Sequence, residues 1–189
     1  MTGKLWSQES YIAAYQFAAR AHNGQKVPGT DLPYIVHVSL VTMEIMTALA
    51  NKNSVDADLA VQCALLHDTI EDTPVTYDLI KDVFGLAVAN GVLALTKNKA
   101  IVSDITDKKE RKRTMMADSL RRIREQPGEI WMVKLADRIT NLHTPPHYWD
   151  EDKIQRYKQE AVLILDQLRD ASDFLAYRLM ERIAQYPHR

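Results

Sequence analysis

Cysteine is nearly missing from this chain: Cys63 stands alone among 189 residues. An internal disulfide is thereby excluded, and the usage suits a reducing compartment. Six glycines and seven prolines are too few for a repetitive or disordered chain. Neither sign of charge dominates, since 24 lysines and arginines face 25 aspartates and glutamates for a net charge of -1. That balance argues against a general nucleic-acid or membrane surface. No apolar run approaches the ~18 residues of a membrane span, and Glu9 and Arg20 interrupt any signal-peptide pattern. No alternating run makes a convincing strand. What is present is ordinary globular material, 46% hydrophobic and 26% charged, enough for one domain over 1–189 with a sizeable core. A cytoplasmic, all-α protein is expected, with Cys63 as a small core residue.

The periodicity is helical nearly throughout. A first helix is predicted from about Ser7 to His22, with Tyr11, Ala14, Tyr15, Ala18 and Ala19 on one face. Asn23 to Val36 holds two glycines and two prolines and reads as a loop. Helices follow over about His37 to Ala50, with Leu40, Val41, Ile45 and Leu49 inward, and over Asp56 to Asp72, with Leu59, Cys63 and Leu66 inward. Pro74 ends the latter. Thr76 is an N-cap for a short helix reaching Phe84, and Gly85 suits its end. Further helices fit Leu86 to Leu95, Asp107 to Glu125 and Glu129 to Leu142, with Thr96 to Thr106 as a loop. After Pro145-Pro146 come one or two amphipathic helices, broken near Ala171 to Asp173.

One stretch concentrates reactive groups. His67, Asp68, Glu71 and Asp72 lie within six residues, directly behind an apolar run. Charged residues are rarely buried unless paired or ligating a metal, so the cluster points to a metal-dependent hydrolytic site. Adjacent helical positions differ by about 100°, yet at a helix end both His67 and Asp68 reach one ion from its side. Two more ligands must come from other elements. His37 opens the helix after the loop, and Asp137 sits in an otherwise apolar helix where it needs a partner. The set His37, His67, Asp68 and Asp137 suits Mn²⁺, Fe²⁺ or Zn²⁺ and favours none. Helical spacing puts Glu71 on the ligand side with Asp72 beside it. An ion lowers the pKa of a bound water, and a nearby carboxylate takes its proton. Asn141, four residues after Asp137, should face the same cavity.

These segments resemble the HD superfamily of metal-dependent phosphohydrolases, named for the His-Asp doublet. The match is closest to the hydrolase domain of the Rel/Spo stringent-response proteins. It is carried, in family order, by Ala21-His22-Asn23-Gly24-Gln25, Pro33-Tyr34-Ile35-Val36-His37, Leu65 through Thr73, and Val133 through Leu142. The doublet alone is weak; the extended form together with the Leu135-Ala136-Asp137-Arg138 segment is specific. In length the chain is similar to the stand-alone small alarmone hydrolases, too short for the synthetase and regulatory domains of the long members. The resemblance implies a single helical HD-domain bundle and removal of pyrophosphate from the ribose 3′ position of guanosine tetra- or pentaphosphate, usually with Mn²⁺. It implies that His37, His67, Asp68 and Asp137 hold the metal and that Glu71 and Asp72 activate and orient water. Asn141 would contact the substrate, and the helix bearing Arg138 and Thr144 would line the pocket. One departure matters: where the family commonly has a basic pair, this chain has Val27 and Pro28, with Lys26, one position early, left to contact the substrate. Arg stacks on a base as Val cannot, which bears on base preference. Val38, where the family often has proline, carries little weight.

Other features have plainer readings. His22, His143 and His147 read as structural or pocket-wall groups. The run Lys108 to Arg113 with Arg121, Arg122 and Arg124 reads as a solvated helix face, part of it raising the local positive potential. Trp131 reads as core, while Tyr148 and Trp149 are open between surface and pocket. A small nucleotide is the expected partner, with no nucleic acid and no membrane. Two rivals remain: the same chemistry on an adenosine or other 3′- or 2′-phosphorylated nucleotide, and a sensor that binds without turnover.

Overall fold

Side chains just outside each helix decide where most of the helices begin. Ser7, Asp56, Thr76, Asp107, Asp150 and Ser172 each accept a bond from a backbone N–H of the first turn, satisfying donors that a helix start leaves free. The computed structural model describes residues 6–50 and 55–187; the remaining positions of the expected 1–189 domain lie outside the described residues. The helices are α1 (Gln8–Ala21), α2 (Ile35–Leu49), α3 (Ala57–Leu66), α4 (Thr69–Asp72), α5 (Tyr77–Phe84), α6 (Leu86–Leu95), α7 (Lys108–Arg124), α8 (Gly128–Asn141), α9 (Glu151–Leu168) and α10 (Asp173–Gln185). Among the described residues there is no strand, only a lone antiparallel bridge between Lys26 and Pro33. The protein is all-α, and no described helix is long and apolar enough to cross a membrane.

The helices α3 and α8 form the centre. α3 packs on α1, α2, α6 and α8, while α8 packs on α2, α9 and α10 as well. Their sequences explain this. α3 reads Ala-Asp-Leu-Ala-Val-Gln-Cys-Ala-Leu-Leu and buries all but Asp58 and Gln62. α8 buries an unbroken run from Leu135 to Thr140, so Asp137 and Arg138 are inside for the same reason as their apolar neighbours. A helix apolar on every side belongs in an interior. Small residues let these helices approach. At Gly91 of α6, a Cβ would lie 2.5 Å from Ile130 Cδ1 and 2.8 Å from Cys63 Sγ. Ile130 and Cys63 are themselves fully buried and have nowhere to move.

Two polar ties cross this core. Arg178 of α10 donates from Nε and Nη2 to Glu44 of α2, at 3.2 and 2.5 Å, a forked pairing that satisfies a buried carboxylate. Glu129 of α8 accepts from the Asp56 backbone N–H at 2.7 Å, fixing the start of α3 against α8.

Four expectations need correction. α2 begins at Ile35, so His37 lies inside its first turn rather than at its start. Leu40 is 37% exposed: the buried stripe runs through Val38, Val41, Ile45 and Leu49, and Leu40 falls about 200° from Val38 around the helix. The helix expected over Asp56 to Asp72 is two helices, because the backbone breaks at His67 and Asp68 between α3 and α4. The loop expected over Thr96 to Thr106 contains a 3-10 turn, Ala100–Val102, that buries Val102. A like turn, Arg169–Ala171, makes the break before α10. Replacing Gly91 with Val should destabilise the fold by about 2–3 kcal/mol through overpacking; urea unfolding of the two proteins measures it, and an unchanged midpoint would refute the close approach.

Candidate active site

The break after Leu66 shapes the site. Had α3 continued, His67 and Asp68 would diverge by about 100°. Instead α3 ends on His67, Asp68 serves as the N-cap position of α4, and both side chains turn to one side. His67 Nε2 lies 2.9 Å from Asp68 Oδ2. His37, from the first turn of α2, brings its Nε2 to 3.4 Å from His67 Nε2 and 3.8 Å from Asp68 Oδ2. Asp137, midway along α8, places Oδ1 3.5 Å from His37 Nε2 and 3.9 Å from His67 Nε2. The ligand atoms of His37, His67 and Asp137 all lie within 4.8 Å of one another. Three helices and one break thus bring the four expected ligands to a single point.

Three of these four groups are held by a neighbour outside the cluster. His67 Nδ1 is 2.8 Å from the Ala64 carbonyl, so its N–H donates there and Nε2 is left facing the carboxylates, the tautomer that ligates a metal. Tyr34 donates its hydroxyl to Asp68 Oδ2 at 2.5 Å. Asn141 donates its amide to Asp137 Oδ1 at 2.5 Å, and Lys134 reaches Asp137 Oδ2 at 3.1 Å. The electrostatics agree. Burial opposes charge on His67, but the Asp68 carboxylate outweighs it and raises the imidazole to about 9. Burial also opposes charge on Asp137, and Lys134 with the two imidazoles holds its carboxyl well below the ordinary range. A buried carboxylate, Asp137, and a half-buried one, Asp68, here demand a positive partner. A proton shared with the imidazoles meets that demand, and a divalent cation on the same two nitrogens and two oxygens meets it better.

The site opens into a cavity of about 380 Å³, within the range of small-ligand pockets. Glu71 and Asp72 line it beside Asp68. Glu71 is held at both oxygens by Lys97, through the backbone N–H at 3.0 Å and the ammonium at 2.7 Å. Asp72 is exposed, and its carboxyl is raised by partial burial and by the charges of Asp68 and Glu71. Arg138 also lines the cavity, its guanidinium 4.0 Å from the Tyr157 ring and 3.6 Å from Glu160. Trp149 lines the wall with Lys153 4.1 Å over its ring, whereas Tyr148 is 60% exposed and outside.

Two expected contacts are not brought in. Lys26 stands on the outer side of the 23–34 loop, pairs with Asp31 at 2.6 Å and does not line the cavity. Thr144 follows α8 into the turn before Pro145 and is exposed, also off the cavity wall. Sequence reasoning passed over Lys97, Tyr34, Tyr157 and Lys153. Only Tyr34 carried a signal, as part of the segment leading into His37. Lys134, three residues before Asp137 on the same helix, could have been found from helical spacing.

Residues 14–172 match a family model described as HD domain. The chain belongs to the HD-domain family. It is 31% identical over 173 residues to the guanosine-3′,5′-bis(diphosphate) 3′-pyrophosphohydrolase MESH1 of Xenopus tropicalis, which covers 89% of both chains. It is 33% identical to the GTP pyrophosphokinase rsh of Brucella ovis, over 87% of this chain but 22% of that one. Among solved structures, it superposes with a TM-score of 0.76 and 25% identity on a metazoan ortholog of SpoT that hydrolyses ppGpp, covering 96% of this chain and 97% of the other. HD domains are metal-dependent, and the donor set here fits that requirement.

Two consequences can be measured on this HD domain. The raised His67 pKa stabilises the metal-free fold fully below about 6.5, and that contribution is lost as pH rises through about 9. Metal-free melting temperature should therefore fall between those values, and the slope should flatten in His67→Gln; equal slopes would contradict the assignment. Asn141→Ala, which frees Asp137 Oδ1, should weaken Mn²⁺ binding by about 10- to 100-fold in calorimetry.

Proposed function

We propose that the protein hydrolyses the 3′-pyrophosphate of guanosine tetra- and pentaphosphate, releasing pyrophosphate and leaving GDP or GTP. The observation that carries this reading is the convergence of His37, His67, Asp68 and Asp137 beside the carboxylates of Glu71 and Asp72, in a cavity walled by lysine and arginine. The relative named above as a bis(diphosphate) 3′-pyrophosphohydrolase aligns along 89% of this chain and of its own. The fold is offered as one domain over 1–189 in a cytoplasmic setting.

A divalent cation, Mn²⁺ by preference, held by those four residues would supply Lewis acidity and a more acidic water. The protein's own groups do the rest. Asp72 accepts the proton of the attacking water, its raised carboxyl being suited to that exchange. Glu71 orients the water, and Lys97 fixes Glu71. The water oxygen bonds to the phosphorus carried by the ribose 3′ oxygen, the bond from that phosphorus to the 3′ oxygen breaks, and the 3′ oxygen takes a proton as pyrophosphate leaves. Lys97, Lys134 and Arg138 offset the charge that gathers on the phosphoryl oxygens. Asn141 sits at the cavity edge, where it both orients Asp137 and meets substrate.

The base is a separate matter. With Val27 and Pro28 in place of a basic pair and Lys26 tied to Asp31, the 23–34 loop offers no cation to a base. An adenosine alarmone is therefore a second reading of the same chemistry.

Pyrophosphate release from the guanosine alarmone with Mn²⁺ tests both readings. Asp68→Ala should lose metal and activity. Glu71→Ala should keep metal and lose turnover by about 10²- to 10⁴-fold. Full activity in either variant rejects the assignment, equal rates on guanine and adenine alarmones reject base specificity, and binding without release makes the protein a sensor.

A further inference from the structure

α7 carries its cations in two different states. Toward its C-terminal end they are paired. Arg121 binds Asp118 and Glu125, Arg122 binds Asp118, and Arg124 meets Gln167. Toward its N-terminal end, Lys108, Lys109, Lys112 and Arg113 have no hydrogen bond or ion pair from their side chains among the described residues, and neither does Arg156 across from them on α9. These five line a groove of about 880 Å³ between α7 and α9. Lys112 over Lys108 and Arg113 over Lys109 are like charges four residues apart on one helix, a spacing that destabilises the helix unless something neutralises it. A solvated face accounts for the paired half of α7 and not for this half.

The groove is continuous with the catalytic cavity. Lys112, Met116, Arg156 and Glu160 line both. Of the two carboxylates in the groove wall, Glu160 is already engaged by Arg138, leaving Asp152 against five cations. From Ser119, which lines the catalytic cavity, to Lys108 at the outer end, α7 runs about 16 Å. A molecule seated with one phosphate at His67 and Asp68 and extending along this path meets one cation after another. The geometry points to a second phosphate subsite: the groove takes the 5′-phosphates of the nucleotide whose 3′-phosphates are being cleaved. This rests on the proposed function, since it takes the substrate to be a nucleotide phosphorylated at both ends. A nucleic acid would call for a longer track of cations, and here they stop at Lys108. The remote phosphates are not altered by the reaction, so the groove binds them alike in the ground and transition states, which lowers KM and leaves kcat as it is.

The test uses Lys109→Ala, Arg113→Ala and the double variant, because these two residues line the groove and not the catalytic cavity. Guanosine 3′-diphosphate with and without a 5′-diphosphate is the substrate pair. In the double variant, KM for the doubly phosphorylated substrate should rise about tenfold with kcat unchanged. Kinetics on the 5′-hydroxyl substrate should not move, and Arg113→Lys should behave as wild type. Equal shifts for both substrates, or no shift for either, overturn the subsite. If wild-type protein cleaves neither substrate, the proposed function fails by itself, and the groove is then read by equilibrium binding of the same two nucleotides. A wild-type preference for the 5′-diphosphate that the double variant loses supports the subsite; no preference overturns it.

Discussion

Two aspartates, Asp137 buried and Asp68 half-buried, crowd two buried imidazoles, and much of the architecture follows from making that tolerable. Asp68 and Asp137 approach the same two histidine nitrogens from opposite helices, α4 and α8. In a low-dielectric setting such a group of carboxylates is costly unless positive charge lies among them. The protein supplies part of it with Lys134 and with the proton that Asp68 helps hold on His67. The rest of the demand is a standing invitation to a cation. That need keeps α3 short, because an unbroken helix would turn Asp68 away from the point where His37 and Asp137 arrive.

The supporting groups make the arrangement stiff. The Ala64 carbonyl selects the His67 tautomer, the Tyr34 hydroxyl holds Asp68, and the Asn141 amide holds Asp137. Ala64 and Tyr34 are packed in the core, on α3 and at the N-cap of α2, and Asn141 reaches Asp137 from the exposed end of α8. Asp72 and Lys97, proposed to take the water proton and to meet the phosphates, are different in kind: one is at a helix end, the other in a loop, both on the wet side of the cavity. Rigid groups behind, proposed as the ligands, and adaptable contacts in front would suit a site that keeps an ion while a charged substrate comes and goes.

Much of this was legible in the chain. Helical period, caps and breakers located nearly every helix, since those signals are local. Asp137 was legible because a charged residue in an apolar helix needs a partner, and His67 and Asp68 because reactive groups crowd behind an apolar run; His37 was legible from its place at the next helix and from the family order. Other features depend on distant segments. Lys97 sits in what reads as a plain loop, and nothing near it shows that it meets Glu71, 26 residues away. Lys26 looked like a substrate contact by its place in the sequence, but the bridge to Pro33 turns the loop so that Asp31 captures it. Thr144 was assigned to the wall as a continuation of α8, yet α8 ends at Asn141 and the chain turns away.

The amino-acid sequence determined the all-helical character, the buried helices at the centre and the identity of the four groups that gather there. Each of those depends on composition and spacing over a few turns. Tertiary structure alone decided that the doublet falls in a break between helices and that Lys97 clamps Glu71. It also decided that the cations of α7 divide into a paired half and an unpaired half beside α9. Those outcomes are set by how helices far apart in the chain cross, and no local pattern encodes a crossing.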